Sequence, residues 1–314
     1  MNELHVVLGA GQVGPFVAES LVAMGKRVRI VRKTQGPSAL SGVEQVSIDV
    51  RDADAVARVT AGATSVYHCV NPLYFEWPEL LVPMARGIVE GTARSGARLV
   101  VLDNLYMYGD TSHMHEGSPN NPRSKKGALR VEAANVMLEA DRRGDLKVAI
   151  GRAADFFGPR ATLGTIFGDR FYRRVLSGKP GESFGDPDML HSYAYTPDVA
   201  TALVALGTSP DTRGIYMLPV QPAESTRQVI GRFYRALGKD LGVGRLPTWV
   251  LRALGVFNPL VREVVEMIYQ WEQPYVLDDT RIRTELGVMP TSWDEAIATT
   301  LAWAKRTYTP ALAA

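Results

Sequence analysis

Three glycines carry the clearest chemical signal in this chain of 314 residues: Gly9, Gly11 and Gly14 in the run VVLGAGQVG. Gly9 permits a tight turn, Gly11 lets the backbone approach a pyrophosphate, and Gly14 lets a following helix lie close to the preceding strand. Gln12 and Val13 sit between them, where the first N–H groups of that helix are free to meet phosphate oxygens. The motif follows a strand-like run (LHVVL) and opens a helix-like one, which favours a dinucleotide site over a purely structural turn.

The end of the second strand-like run sets the flavour of that dinucleotide. A carboxylate there would accept from ribose hydroxyls, as NAD sites commonly require. The chain instead reads RIVRK, so Arg32 and Lys33 occupy the place and could pair with a 2′-phosphate. The expected cofactor is therefore NADP(H), with NAD possible. A solvated pair of surface charges is the competing reading. Asp49, followed by Val50, could accept from an adenine amino group or simply close a turn.

These residues need a scaffold, and the first half of the chain supplies its pattern. Strand-like runs at 4–8, 27–31, 45–50, 65–70, 98–103 and 146–151 alternate with helix-like runs at 13–24, 54–60, 80–95 and 125–143. This predicts an α/β fold, a Rossmann-type doubly wound parallel sheet with a smaller, mainly C-terminal substrate-binding lobe. Residues 1–155 form the dinucleotide-binding domain, joined by returning segments around 190–220. Residues 156–314 form most of the lobe, which is discontinuous. A helix capped by Thr196 is expected, and the apolar stretch 247–271 is too interrupted by Gly255 and Pro259 to be one straight helix.

Composition narrows the class. The net charge is +2 with basic residues scattered, so nothing suggests a nucleic-acid footprint. A single cysteine, Cys69, excludes an internal disulfide framework and fits a reducing, cytoplasmic setting. No apolar run is long enough for a membrane span, and no signal-peptide pattern opens the sequence. His113, His115 and Glu116 are metal-like types at a spacing that fits no metal site, so no metal is expected. The expected partners are a small-molecule substrate and a second copy in a homodimer, without nucleic acid or membrane.

Several segments, taken in order, resemble the extended short-chain dehydrogenase/reductases, the NAD-dependent epimerase/dehydratase group. VYHCVNP is similar to the family's fourth-strand segment beside the cofactor, which assigns Val70 and Asn71 to cofactor binding. LDNLYMYG resembles its fifth-strand segment, IGRAADFFGP its Arg-x-x-x-x-Tyr-Gly-Pro segment with Phe157 for the tyrosine, and SYAYTPDVATAL and TRIRTELGVMPTSWDEAIATTLAW its later ones. The glycine turn is the shorter form of the family's. The catalytic trio departs further. Asn104 stands at the Ser/Thr position, Lys126 at the tyrosine and Arg130 at the lysine.

What the resemblance implies is an NADP(H)-dependent oxidoreductase or epimerase/dehydratase-like enzyme. It would act on a carbonyl or hydroxyl group of a small, aromatic or sugar-derived substrate. Lys126, crowded by Arg130 one turn on, would lose its proton more easily and serve as the acid/base. Arg130 would hold the nicotinamide ribose or a substrate anion, and Asn104 would donate to a carbonyl. An exposed basic helix face is the bland alternative for both cations. Tyr106 is the next proton-donor candidate, since ligands gather at strand C-terminal ends. Tyr74 and Trp77 in an aromatic-rich segment, with Tyr108, Asp155 and Tyr193, are expected to contact substrate; Tyr108 could equally be packed. His68 reads as a core or near-cofactor histidine, and His191 as a weaker site candidate. Loss of the usual trio also allows a non-catalytic NADP(H)-binding redox sensor.

Overall fold

A computed structural model describes residues 3–34, 40–257 and 259–312. Seven strands form one sheet: β1 (Leu4–Leu8), β2 (Arg27–Arg32), β3 (Val43–Ser47), β4 (Ala63–His68), β5 (Arg98–Asp103), β6 (Val148–Arg152) and β7 (Gly214–Met217). Their order is β3-β2-β1-β4-β5-β6-β7, and every pairing is parallel. The sheet is covered on both faces, which is why β1 is buried at every residue rather than at alternate ones. Val7, Tyr67 and Val100 meet helices α1 (Gly14–Ala23) and α6 (Thr196–Thr208). Val6, Leu8, Val66, Leu99 and Val101 point the other way, into the core shared with α2 (Ala53–Thr60), α3 (Trp77–Ser95) and α4 (Lys125–Arg143).

The strand order reverses between β1 and β4, so a crevice opens beyond their C-terminal ends. Helix starts follow local chemistry. Asp52 accepts from the N–H groups of Asp54 and Ala55 at 2.9 and 3.1 Å, and Ser124 Oγ accepts from Gly127 N at 2.9 Å. Later residues build a lobe around a third core. There α5 (Asp169–Leu176), α7 (Thr226–Ala236) and α10 (Trp293–Leu312) bury Phe167, Phe171, Tyr172, Phe233 and Trp293 against one another. The stretch after Pro247 forms two helices, α8 (Thr248–Phe257) and α9 (Pro259–Val265), then a 3-10 turn at Ile268–Trp271. Asn258, between them, lies outside the described residues.

Some boundaries differ from the sequence reading. β3 ends at Ser47, so Asp49 lies in the turn before α2 rather than in a strand. Three residues of the supposed aromatic loop, Tyr74–Glu76, form a 3-10 turn, and α3 begins at Trp77 with Pro78 in its first turn. Thr196 does not cap α6. It is already helical, and its hydroxyl donates to the Pro159 carbonyl at 2.8 Å. No helix among the described residues is long and apolar enough to cross a membrane.

Candidate active site

The glycine turn is built as its chemistry requires. A Cβ on Gly14 would lie 1.9 Å from the Gly9 carbonyl oxygen, so only glycine lets α1 pack this close to β1. Gly9 has φ +112° and runs against the backbone of Cys69. Gly11 faces open space, the approach a pyrophosphate would need. Val13 precedes α1 and is buried; its carbonyl accepts from Phe16 and Val17. Gln12 departs from the cofactor-contact expectation at its side chain: Oε1 accepts from the N–H groups of Thr162 and Leu163 at 2.7 and 3.1 Å.

At the end of β2, Arg32 is half-buried and Lys33 is exposed beyond it. Asp49 is claimed by Arg51, which donates from its backbone N at 3.0 Å and from its guanidinium to both carboxylate oxygens. That contact, followed by the Lys33 charge, lowers the Asp49 pKa. Val50 is buried, with its carbonyl against α3 at Gly87.

A chain of polar side chains crosses the C-terminal ends of β4, β5 and β6. Arg130 on α4 donates to Asn71 Oδ1 at 2.6 Å, lies 3.4 Å from Asp103 and rests on the Trp77 ring at 4.3 Å. Asp103, ending β5, also meets Arg152 at 3.4 Å, and Arg152 donates to the Tyr108 hydroxyl. Tyr108 is fully buried, so this arginine, not a ligand, uses its hydroxyl. His68 lies beside Arg130, fully enclosed. Burial first and Arg130 second push its pKa down to about 3, which keeps it neutral. Val70, half-buried, and Asn71, exposed, follow β4 at the rim of the crevice.

Lys126 sits where the resemblance puts a catalytic tyrosine, but its surroundings correct the premise for its role. It is 2% exposed, and its ammonium donates to both Glu263, in α9, and Glu266, just beyond it. Glu266 also accepts from Lys125 N at 2.5 Å, capping α4. Lys126 and Arg130 each have their own anions, so the like-charge crowding expected between them is compensated. The sequence reading missed these glutamates. Their only signal was an acidic pair in REVVE within an apolar stretch more than a hundred residues away.

Proton donors gather instead at the end of β5. Asn104 Oδ1 accepts from Tyr106 N at 3.2 Å, fixing the turn that aims Tyr106. The Tyr106 and Tyr74 hydroxyls are 2.6 Å apart, and Tyr106 lies over Trp77 with ring centroids 6.1 Å apart. Burial, then Tyr74, then the Asp155 carboxylate raise the Tyr106 phenol well above its ordinary range. Burial also raises Tyr74, against the Tyr106 hydrogen bond.

Asp155 and Tyr193 come from two short strands paired in parallel, 155–157 and 193–195. Asp155 Oδ2 is 2.8 Å from His191 Nε2, whose ring is stacked with Trp271 and Tyr275. Tyr193 points away from any ligand role at its hydroxyl, 2.7 Å from that of Thr226. Tyr275, which the sequence reading did not single out, is fully buried with a hydroxyl that has no partner. Burial and then Asp155 raise its pKa well above the usual range. No group of His, Cys, Asp and Glu among the described residues could hold a metal ion. Glu116 instead accepts from Met217 N at 2.9 Å.

The profile of the NAD dependent epimerase/dehydratase family matches residues 5–218. The chain belongs to this family. It is thus an oxidoreductase- or epimerase-type enzyme that uses a nicotinamide cofactor. No curated protein matches its sequence. Among solved structures it is similar to UDP-N-acetylglucosamine 4-epimerase from Bacillus cereus, at 13% identity over 96% of each chain and a TM-score of 0.78. It is similar also to a dTDP-glucose 4,6-dehydratase from Streptomyces venezuelae with NAD bound, at 20% identity over 98% of each chain and a TM-score of 0.78. A UDP-glucuronic acid 4-epimerase from Bacillus cereus, with UDP-glucuronic acid and NAD, aligns at 16% identity over 97% of this chain and 100% of its own, with a TM-score of 0.78. At these identities the likeness concerns the fold of the epimerase/dehydratase family.

Proposed function

We propose that this protein is an NADP(H)-dependent oxidoreductase that interconverts a carbonyl and a hydroxyl on a small substrate, with Tyr106 handling the proton. The observation that carries the cofactor reading is the glycine turn, closed at Gly14 and open at Gly11, with Arg32 ending β2 and Lys33 following it in place of a carboxylate. When bound, the nicotinamide supplies or accepts the hydride. The free N–H groups at the start of α1 would hold the pyrophosphate, and Arg130 on α4 would border its nicotinamide side. Tyr106 keeps its proton across the physiological range, so it would donate that proton to a substrate carbonyl oxygen. Tyr74, 2.6 Å away, holds the Tyr106 hydroxyl in place. Asn104 holds the Tyr106 turn. Lys126 anchors α9 over the site through Glu263 and Glu266 rather than exchanging protons.

Calorimetric titration of the purified protein with NADPH and NADH tests the cofactor assignment. NADPH should bind at least tenfold more tightly, and Arg32→Ala with Lys33→Ala should abolish the difference. Equal affinity in the wild type, or a preference for NADH, rejects it.

A further inference from the structure

We propose that the mouth of the crevice rests on an anionic lipid surface, with helix α8 lying flat at the level of the headgroups. This goes beyond the oxidoreductase reading and does not depend on it.

The distribution of exposed apolar side chains is the first argument. Nine large ones are exposed among the described residues. Six of them, Leu73, Phe75, Leu163, Trp249, Val256 and Phe257, belong to segments that meet at the C-terminal end of the sheet. Leu73 and Phe75 flank Tyr74, whose hydroxyl is bonded to that of Tyr106 beyond the end of β5. Leu163 precedes Gly164, where a Cβ would lie 3.7 Å from the same Tyr74 hydroxyl. Helix α9 packs on the turn at 74–76 and on α8, and Glu263 and Glu266 tie it to Lys126. Apolar residues exposed singly need no explanation, whereas a concentration of this kind marks a contact surface.

Helix α8 shows which way that surface faces. Trp249, Ala253, Val256 and Phe257 recur at i, i+4, i+7 and i+8, so they line one stripe. All four are exposed, with Trp249, Val256 and Phe257 at 72%, 73% and 89%. Leu251 and Gly255, on the opposite side, are buried. A helix bordered by water turns its polar face outward; this one turns an apolar face outward.

Charge selects the occupant. Residues 241–262 contain three arginines, Arg245, Arg252 and Arg262, and no aspartate or glutamate. Arg245 and Arg262 are exposed. The acids that border the patch are turned inward: Glu263 and Glu266 accept from Lys126, and Glu76 accepts from Leu73 N at 2.9 Å. An apolar stripe with a tryptophan and flanking arginines has the chemistry of a helix lying on anionic headgroups. A second copy of this chain fits it less well, because a two-fold contact sets a patch against itself and would bring like charges together. The sequence expectation of no membrane partner rested on the lack of a spanning run, and a surface contact needs none.

The test uses the full chain and flotation with vesicles of phosphatidylcholine, alone or mixed equally with phosphatidylglycerol. The protein should float with the mixed vesicles and about tenfold less with phosphatidylcholine alone. Raised salt should release it. Trp249→Ser combined with Phe257→Ser should lower the partition by about tenfold or more, with the melting temperature in solution near wild type, because both side chains meet mainly water. Arg245→Glu combined with Arg262→Glu should remove the preference for phosphatidylglycerol. Protein that stays unbound with both vesicle types overturns the proposal, as does binding indifferent to the two double variants. Sedimentation velocity supplies the remaining outcome. A concentration-dependent dimer that Trp249→Ser with Phe257→Ser dissolves would give the stripe to a second copy and overturn the lipid assignment.

Discussion

Replacing Lys126 with methionine separates an anchor from an acid/base. Methionine keeps the length and bulk of the stem but removes the charge that Glu263 and Glu266 share. Breaking a fully buried ion pair from one side costs about 3–5 kcal/mol. Here the two carboxylates are 21% and 28% exposed at their side chains, so water recovers part of that loss. Discounted for this screening, the cost is about 1–3 kcal/mol. Unfolding entropy of about 2.1 cal/mol/K per residue makes this a fall of roughly 2–5 °C in melting temperature for a chain of this size. The change should be local as well, because α9 loses its tie to α4. Limited proteolysis between residues 259 and 267 should therefore accelerate in Lys126→Met, and in Glu263→Gln combined with Glu266→Gln. Turnover should fall less than tenfold, since Tyr106 remains. A drop of several orders of magnitude, with melting temperature and proteolysis unchanged, would refute the anchor and return the proton-transfer role to Lys126.

The remaining predictions address the cofactor, the proton and the stability. Gly11→Leu should leave the melting temperature of the cofactor-free protein nearly unchanged, because its Cβ meets nothing within 4 Å, yet abolish NADPH binding; retained binding would displace the pyrophosphate from this turn. Tyr106→Phe should lower turnover by about 10²-fold or more with NADPH affinity intact, measured under saturating cofactor; near-normal turnover removes Tyr106 from the chemistry. His68, neutral in the fold at a pKa pushed down to about 3, takes up a proton more readily when unfolded. Its contribution is therefore complete above the unfolded value near 6.5 and declines as pH falls toward 3. Between pH 7 and pH 5 the loss is about 2 kcal/mol, visible as a lower urea midpoint, and His68→Asn should remove that part of the pH dependence.

The sequence alone determined the parts governed by short-range geometry. The Gly9, Gly11 and Gly14 spacing fixes a turn because Gly14 must clear the Gly9 carbonyl five residues before it and Gly9 must take a positive φ. The alternation of strand and helix patterns dictates a parallel sheet, because parallel neighbours require a crossover between them. Arg32 and Lys33 were legible for the same reason: the end of β2 follows from where β1 ends. The chemistry at the strand ends was not legible in this way. Lys126 and Arg130 are adjacent on one helix face, and sequence proximity suggested that they perturb each other. Tertiary structure gave them separate anions, from α9 and from β5, which no local pattern connects. Tyr106 was a recognised candidate, but its hydroxyl contact to Tyr74 depends on residues 74–77 folding as a 3-10 turn and helix start instead of an open loop. The contact of Asp155 with His191 exists only because strands 155–157 and 193–195 pair across a long connection. Side-chain protonation and hydrogen-bond supply are set by whatever reaches within a few ångströms, and in this chain those partners come from segments tens to more than a hundred residues apart.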